Sequence, residues 1–183
     1  MADIYPVDPQ FAKTARYDKA RYQQLYQQSL DDPDTFWAEQ AKRLEWFVPP
    51  TRIKDVSYAL EDFRIKWFED GVLNVSVNCL DRQLASRGDK TALLFEPDSP
   101  DAPAQHVSYR QLHQKVCKLA NALRALGVNK GDRVISYLPM IVEAAAAMLA
   151  CARIGAVHTV VFGGFAPNSI ADRVGDSGAR LII

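Results

Sequence analysis

Residues 157–167, VHTVVFGGFAP, hold the local pattern with the clearest chemical potential: two glycines stand directly between an apolar β-branched run and Pro167, a proline suited to open a helix. With no side chains at Gly163 and Gly164, a flat or phosphorylated ligand can approach the backbone closely. The helix that follows has unpaired amides at its positive end, and Ala166 has no side-chain oxygen with which to cap them. The same glycines also suit a plain strand-to-helix turn that needs them only for its dihedral angles. At the level of residue type both readings stand.

Rival chemistries lack their residues. A dinucleotide fingerprint requires G-x-G-x-x-G and an acidic residue about twenty positions on, and neither is present. There is no G-x-x-x-x-G-K-[ST] phosphate loop, no serine nucleophile elbow and no His/Cys cluster at metal spacing, so no catalytic residue and no metal ligand is nominated. His106, His113 and His158 fall in three separate elements and read as structural or surface residues. Cys79, Cys117 and Cys151 are odd in number and set among apolar neighbours, which reads as buried free thiols in a reducing compartment; a cytoplasmic location is the expectation. Trp37, Trp46 and Trp67 lack the basic companions of a base-stacking platform and are assigned to core contacts.

Twenty-two basic residues balance twenty-two acidic ones, leaving no net field to attract nucleic acid or an anionic membrane. Hydrophobic residues at 48% and charged residues at 24% describe an ordered globular chain of 183 residues. The opening MADIYPVDPQ has no basic start and no apolar core, so no export signal is expected. The longest apolar run, residues 144–152, is far short of the roughly twenty residues that span a bilayer. Small-molecule partners and a monomer are favoured over nucleic acid or membrane.

Two textures succeed one another. Residues 1–75 interleave aromatics and charges with Pro49, Pro50 and Gly71 and read as a wrapping amino-terminal extension that is helical or irregular. Within it Tyr22, Leu25, Tyr26 and Ser29 recur at helical spacing, and Asp34 is expected to cap a second helix carrying Phe36, Trp37 and Leu44. Residues 76–183 alternate helix and strand: a helix through Leu80 and Leu84 stopped at Gly88, a strand Thr91–Phe95, and a loop over 98–105. A helix follows, capped by Ser108 and ended by Gly127, then a strand Arg133–Leu138 and an alanine-rich helix from Pro139 to about Ile154, closed by Gly155. A buried strand Val157–Phe162, a helix from Pro167, a turn over 176–178 and a strand over 180–183 complete the series. Such alternation predicts an α/β fold with a mixed, mainly parallel sheet, which binds ligands beyond the carboxyl ends of its strands. Leu181, Ile182 and Ile183 read as the middle of a strand, so the domain is expected to be incomplete here.

Several consecutive strings resemble acetyl-CoA synthetases of the adenylate-forming superfamily, and together they cover nearly the whole chain. They are DDPDTFWAEQ (residues 31–40), IKWFEDGVLNVSVNCLDRQL (65–84), GDKTAL (88–93), VSYRQLHQKVCKLANAL (107–123) and YLPMIVEAAAAMLACARIGAVHTVVFGGFAP (137–167). The last is the most specific and is similar to short-chain acyl-CoA synthetases in particular.

The resemblance implies ligation of acetate to coenzyme A. ATP converts acetate into acetyl-adenylate with release of pyrophosphate, and the CoA thiol then displaces AMP, with Mg2+ offsetting phosphate charge. Under it, residues 76–183 are the first part of an AMP-binding domain. Carried over by position, the resemblance nominates Phe162, Gly163, Gly164 and Phe165 as CoA-binding, whereas the family often has serine where Ala166 stands. It places the ATP and Mg2+ sites and the acetate pocket beyond this segment, so the 183 residues alone are expected to be inactive. A propionate-preferring relative is the nearest alternative, and a non-catalytic binding module is the alternative from another class.

Overall fold

In a computed structural model of the chain, residues 5–164 and 166–183 are described, and they group into two compact units. One unit takes the residues up to Leu44 together with Pro50–Gly71; the other takes Glu45–Pro49 and Val72–Ile183.

The first unit holds α1 (Pro9–Thr14), α2 (Lys19–Asp31), α3 (Pro33–Ala41) and an antiparallel pair, β1 (Lys54–Ser57) with β2 (Arg64–Trp67). Asp8, Asp18 and Asp32 each cap a helix by accepting a backbone N–H. The cap of α3 is therefore Asp32 rather than Asp34, because Pro33 occupies the first helical position, where a missing N–H costs nothing. Leu44 lies beyond the end of α3. Trp37 and Trp67 meet edge to face at 5.8 Å but stay 40% exposed, so they form an aromatic contact rather than a buried core.

The second unit begins with α4 (Val75–Cys79), a 3-10 turn over Asp81–Gln83 and α5 (Leu84–Arg87). An antiparallel pair follows, β3 (Thr91–Phe95) with β4 (Gln105–Ser108). Then come α6 (Tyr109–Ala125), β5 (Arg133–Leu138), α7 (Val142–Ile154), β6 (Val157–Phe162), α8 (Pro167–Ser177) and β7 (Leu181–Ile182). β5, β6 and β7 form one parallel sheet in the order β6-β5-β7. The α/β class with a parallel sheet is thus borne out.

Local chemistry explains these elements. Ser108 and Gln111 form a reciprocal capping box at the start of α6, and Leu112, Val116, Ala120 and Leu123 bury one stripe of it. Leu123 is 1% exposed and Val116 fully buried, each contributing about 2 kcal/mol of apolar burial. α7 ends where Gly155 takes φ +74°, a left-handed cap that glycine adopts without a Cβ clash. The alanines of α7 let it lie close to the core, where Ala146, Ala147 and Ala150 are buried.

Some expectations need correction. α7 starts at Val142 rather than Pro139, and α8 continues through Asp176 to Ser177, so only Gly178 turns. The final residue of the expected loop over 98–105 is already in β4. β6 is an edge strand: Val161 is buried, but Val157, Val160 and Phe162 are 52%, 56% and 61% exposed, because one neighbour and one helix cover only part of it. β5, paired on both sides, is the buried strand, with Val134, Ile135 and Ser136 enclosed in succession. All three cysteines are free thiols, but only Cys151 is buried, and Cys79 is exposed. Burial pushes the Cys151 thiol up from its ordinary value.

Candidate functional site

The parallel register sets Leu138 opposite Phe162 and Tyr137 opposite Val161, so the glycine turn leaves β6 beside the carboxyl end of β5. Phe162, Gly163 and Gly164 lie together there; Phe165 is outside the described residues. The Tyr137 hydroxyl donates a 3.0 Å hydrogen bond to the Gly163 carbonyl and fixes the turn to β5. A Cβ on Gly163 would stand 3.4 Å from the Pro139 nitrogen, and one on Gly164 would stand 2.9 Å from the Phe162 ring. Positive φ is found at Gly127, Gly131, Gly155 and Gly178, but not at Gly163 or Gly164. Positive φ therefore does not account for these two glycines; a Cβ on Gly163 would make ordinary contacts, and one on Gly164 would meet only the Phe162 side chain.

Below the turn, between α7 and the strands, is an apolar hollow of about 370 Å³ bordered by Leu138, Met140, Ala144, Met148, Val160 and Phe162. Ser136 supplies its one polar side chain, and the enclosed Oγ has no hydrogen-bond partner among the described residues. The start of α8 is poorer in free donors than its sequence suggests. Pro167 has no N–H, and the Ser169 amide already donates to the Ala166 carbonyl at 3.0 Å. Sequence reasoning missed Tyr137, Leu138 and Ser136 as neighbours of the turn, because only the strand register brings them to it.

A second cluster joins distant segments. The Arg153 guanidinium donates to both carboxylate oxygens of Asp81, at 2.7 and 2.8 Å, and His113 Nε2 lies 3.3 Å from the same carboxylate. This hydrogen-bonded pairing with Arg153 holds the Asp81 carboxyl below the usual carboxylate range. Asn74 caps α4 through its Oδ1 while its amide donates to the Ala152 and Arg153 carbonyls, at 3.0 and 3.1 Å. Among the described residues no group of three or more His, Cys, Asp or Glu is placed to hold a metal ion, so no step is assigned to a metal through them. No described helix is long and apolar enough to cross a membrane.

Comparison with known proteins gives this arrangement its class. The model of the family described as AMP-binding enzyme matches residues 80–183, the span that contains the parallel sheet and the glycine turn, and the chain belongs to that family. A second model, described as acetyl-coenzyme A synthetase N-terminus, matches residues 22–79. Proteins named acetyl-coenzyme A synthetase from Xanthomonas oryzae pv. oryzae and Xanthomonas axonopodis pv. citri are each 70% identical over all 183 residues. One from Novosphingobium aromaticivorans is 55% identical over 180 residues. This chain spans 28% of the length of each of these relatives. A solved acetoacetyl-CoA synthetase from Streptomyces lividans superposes with a TM-score of 0.78 at 30% identity, over 94% of this chain and 26% of that one.

Proposed function

We propose that the protein containing these residues is an ATP-dependent acetate–CoA ligase that forms acetyl-adenylate and pyrophosphate, then acetyl-CoA and AMP, in acetate metabolism. What carries the reading is 70% identity to acetyl-coenzyme A synthetases across the whole chain, glycine turn included. Acetate is favoured over a larger acid because identity to proteins named for acetyl-CoA reaches 70%, against 30% for the acetoacetyl-CoA synthetase. Residues 1–75 serve as an extension and 76–183 as the first part of the AMP-binding domain. Magnesium would accompany ATP and offset phosphate charge. The enzyme works in the cytoplasm as a monomer.

Within the segment, Phe162, Gly163, Gly164 and Phe165 contribute to the CoA site. Phe162 is 61% exposed and offers an aromatic face to a flat adenine, while the two glycines let the nucleotide come close to the backbone. Residues 1–183 alone carry binding surface rather than chemistry. The test is a product assay with the full-length protein: acetate, ATP and CoA should yield acetyl-CoA and AMP. Formation of ADP, or no thioester with any short acid, overturns the reading.

A further inference from the structure

The register that sets Ser136 opposite Val160 and Leu138 opposite Phe162 puts these four side chains on one face of the parallel sheet. α7 covers that face only in part. Its Ala145 and Met148, with Met140 just before it, form the other wall of the hollow of about 370 Å³. Met140 is 78% exposed, and Val160 and Phe162 are more than half exposed, whereas parallel sheets are ordinarily covered on both faces. Deep in the hollow Ser136 is only 2% exposed, and its Oγ has no hydrogen-bond partner among the described residues. A buried hydroxyl left in that state costs its desolvation, so the partner must come from whatever closes the hollow. The acetyl-coenzyme A synthetases that are 70% identical over all 183 residues are much longer, since this chain spans 28% of their length. The model described as an N-terminus matches residues 22–79, which sets the additional length after this segment.

We propose that the hollow is an intramolecular docking face, closed in the full-length protein by a helix from the polypeptide that follows Ile183. The inference rests on the ligase reading, which gives the protein a length comparable to that of those relatives. A helix is the element that packs over a parallel sheet beside another helix. Its apolar side chains fill the space between α7 and β6, and one hydroxyl or amide group exchanges a hydrogen bond with Ser136 Oγ, which can both donate and accept. A strand would instead pair along the free edge of β6 and leave this face open. Phe162 belongs both to this face and to the glycine turn, so closing the hollow also restricts the ring offered to CoA.

The experiment uses the full-length protein with photo-methionine, a diazirine analogue close to methionine in size, in place of methionine. Cross-links that start at positions 140 and 148 are located by mass spectrometry. Met148 should join residues beyond Ile183 that recur at helical spacing, within the same polypeptide. Mixing isotope-labelled with unlabelled protein before irradiation identifies links between copies. Links confined to residues 1–183, insertion into water alone, or links between copies each overturn the proposal. A second measurement labels Ala145→Cys with a thiol reagent. Labelling should be slower by about a hundredfold than in the urea-unfolded protein, because the thiol reacts only when the cover opens. Adding Ser136→Ala should speed it by about five- to thirtyfold, the factor that loss of one buried hydrogen bond conveys. Labelling at the unfolded rate, or no response to Ser136→Ala, counts against the docking face. Neither readout depends on catalysis, so the docking face and the ligase reading can fail separately.

Discussion

The Tyr137 hydroxyl and the Gly163 carbonyl are 3.0 Å apart, so one hydrogen bond ties the glycine turn to the neighbouring strand. Its donor is one residue from the end of β5, and its acceptor is the first residue after β6. Tyr137→Phe removes this bond and keeps the ring. The expected loss of stability is roughly 0.5–1.5 kcal/mol, the net value of one partly exposed hydrogen bond. If the turn borders the CoA site, the Michaelis constant for CoA should rise in the full-length enzyme while acetate-dependent pyrophosphate exchange stays near its original rate. A urea titration and the two assays check the set. Unchanged CoA dependence together with measurable destabilisation would show that the bond serves architecture alone.

Gly164→Val tests the glycine itself. Because φ at Gly164 is not positive, the substitution brings no left-handed strain, and the conflict lies with the Phe162 ring at 2.9 Å. That ring is 61% exposed and can rotate away, so the melting temperature should change little. Displacing it should nevertheless raise the Michaelis constant for CoA, by about tenfold if near 1.4 kcal/mol of contact energy is lost. Pyrophosphate exchange should survive. Equal loss of both activities in a folded protein counts against the CoA assignment of this turn.

What could be read from the chain depended on whether a segment carries its own pattern. β3, β5 and β6 were legible to the residue because apolar-rich runs are punctuated by Gly88, Gly131 and Gly163, and α6 announced itself through Ser108 and its leucine spacing. β4 was missed because QHVS is largely polar and carries no apolar run, and it becomes a strand by pairing with β3. Within these 183 residues β6 pairs only with β5, and four of its six residues are exposed, which its apolar run alone did not show. The Asp81, His113 and Arg153 cluster was invisible because its members are 32, 40 and 72 positions apart, and no local periodicity relates them. For the glycine turn, sequence located the segment but not its tie to β5, the hydrogen bond from the Tyr137 hydroxyl to the Gly163 carbonyl.

Asp70 provides a pH test in the first unit. Its carboxylate accepts from the Thr51 hydroxyl at 2.5 Å and from the amides of Thr51 and Arg52 at 2.9 and 3.1 Å. The Thr51 side-chain bond first, and then these amide bonds, lower its pKa from 3.8 to about 2. The folded value is below the unfolded one, so the contribution is fully present above about 3.8 and disappears as pH falls through about 2. Thr51→Ala should move the Asp70 carboxyl resonance back toward its ordinary titration range in an NMR pH series. A carboxyl that already titrates near 3.8 in the unmodified protein would contradict the hydrogen-bond account.

The pairing of Asp81 with Arg153 should be a principal tie between the α4 region and the end of α7. Both side chains are about three-quarters covered, with 29% and 25% exposure, and Arg153 donates two bonds in the forked geometry that carboxylates accept best. Removing one partner leaves the other charge part-buried, so Asp81→Asn or Arg153→Met alone should cost roughly 1–3 kcal/mol, below the value for a fully buried pair. The double variant should cost less than the sum of the singles, with a coupling of roughly 0.5–3 kcal/mol. Because its folded pKa is lowered, Asp81 contributes above its unfolded pKa and loses that contribution as pH falls through the folded value. The coupling measured by urea unfolding should therefore be present at neutral pH and shrink under acid conditions, once the carboxyl is protonated. Additive single effects at neutral pH would mean that the pair is a contact without energetic weight, and that Asn74, bonded to the same end of α7, holds the helix instead.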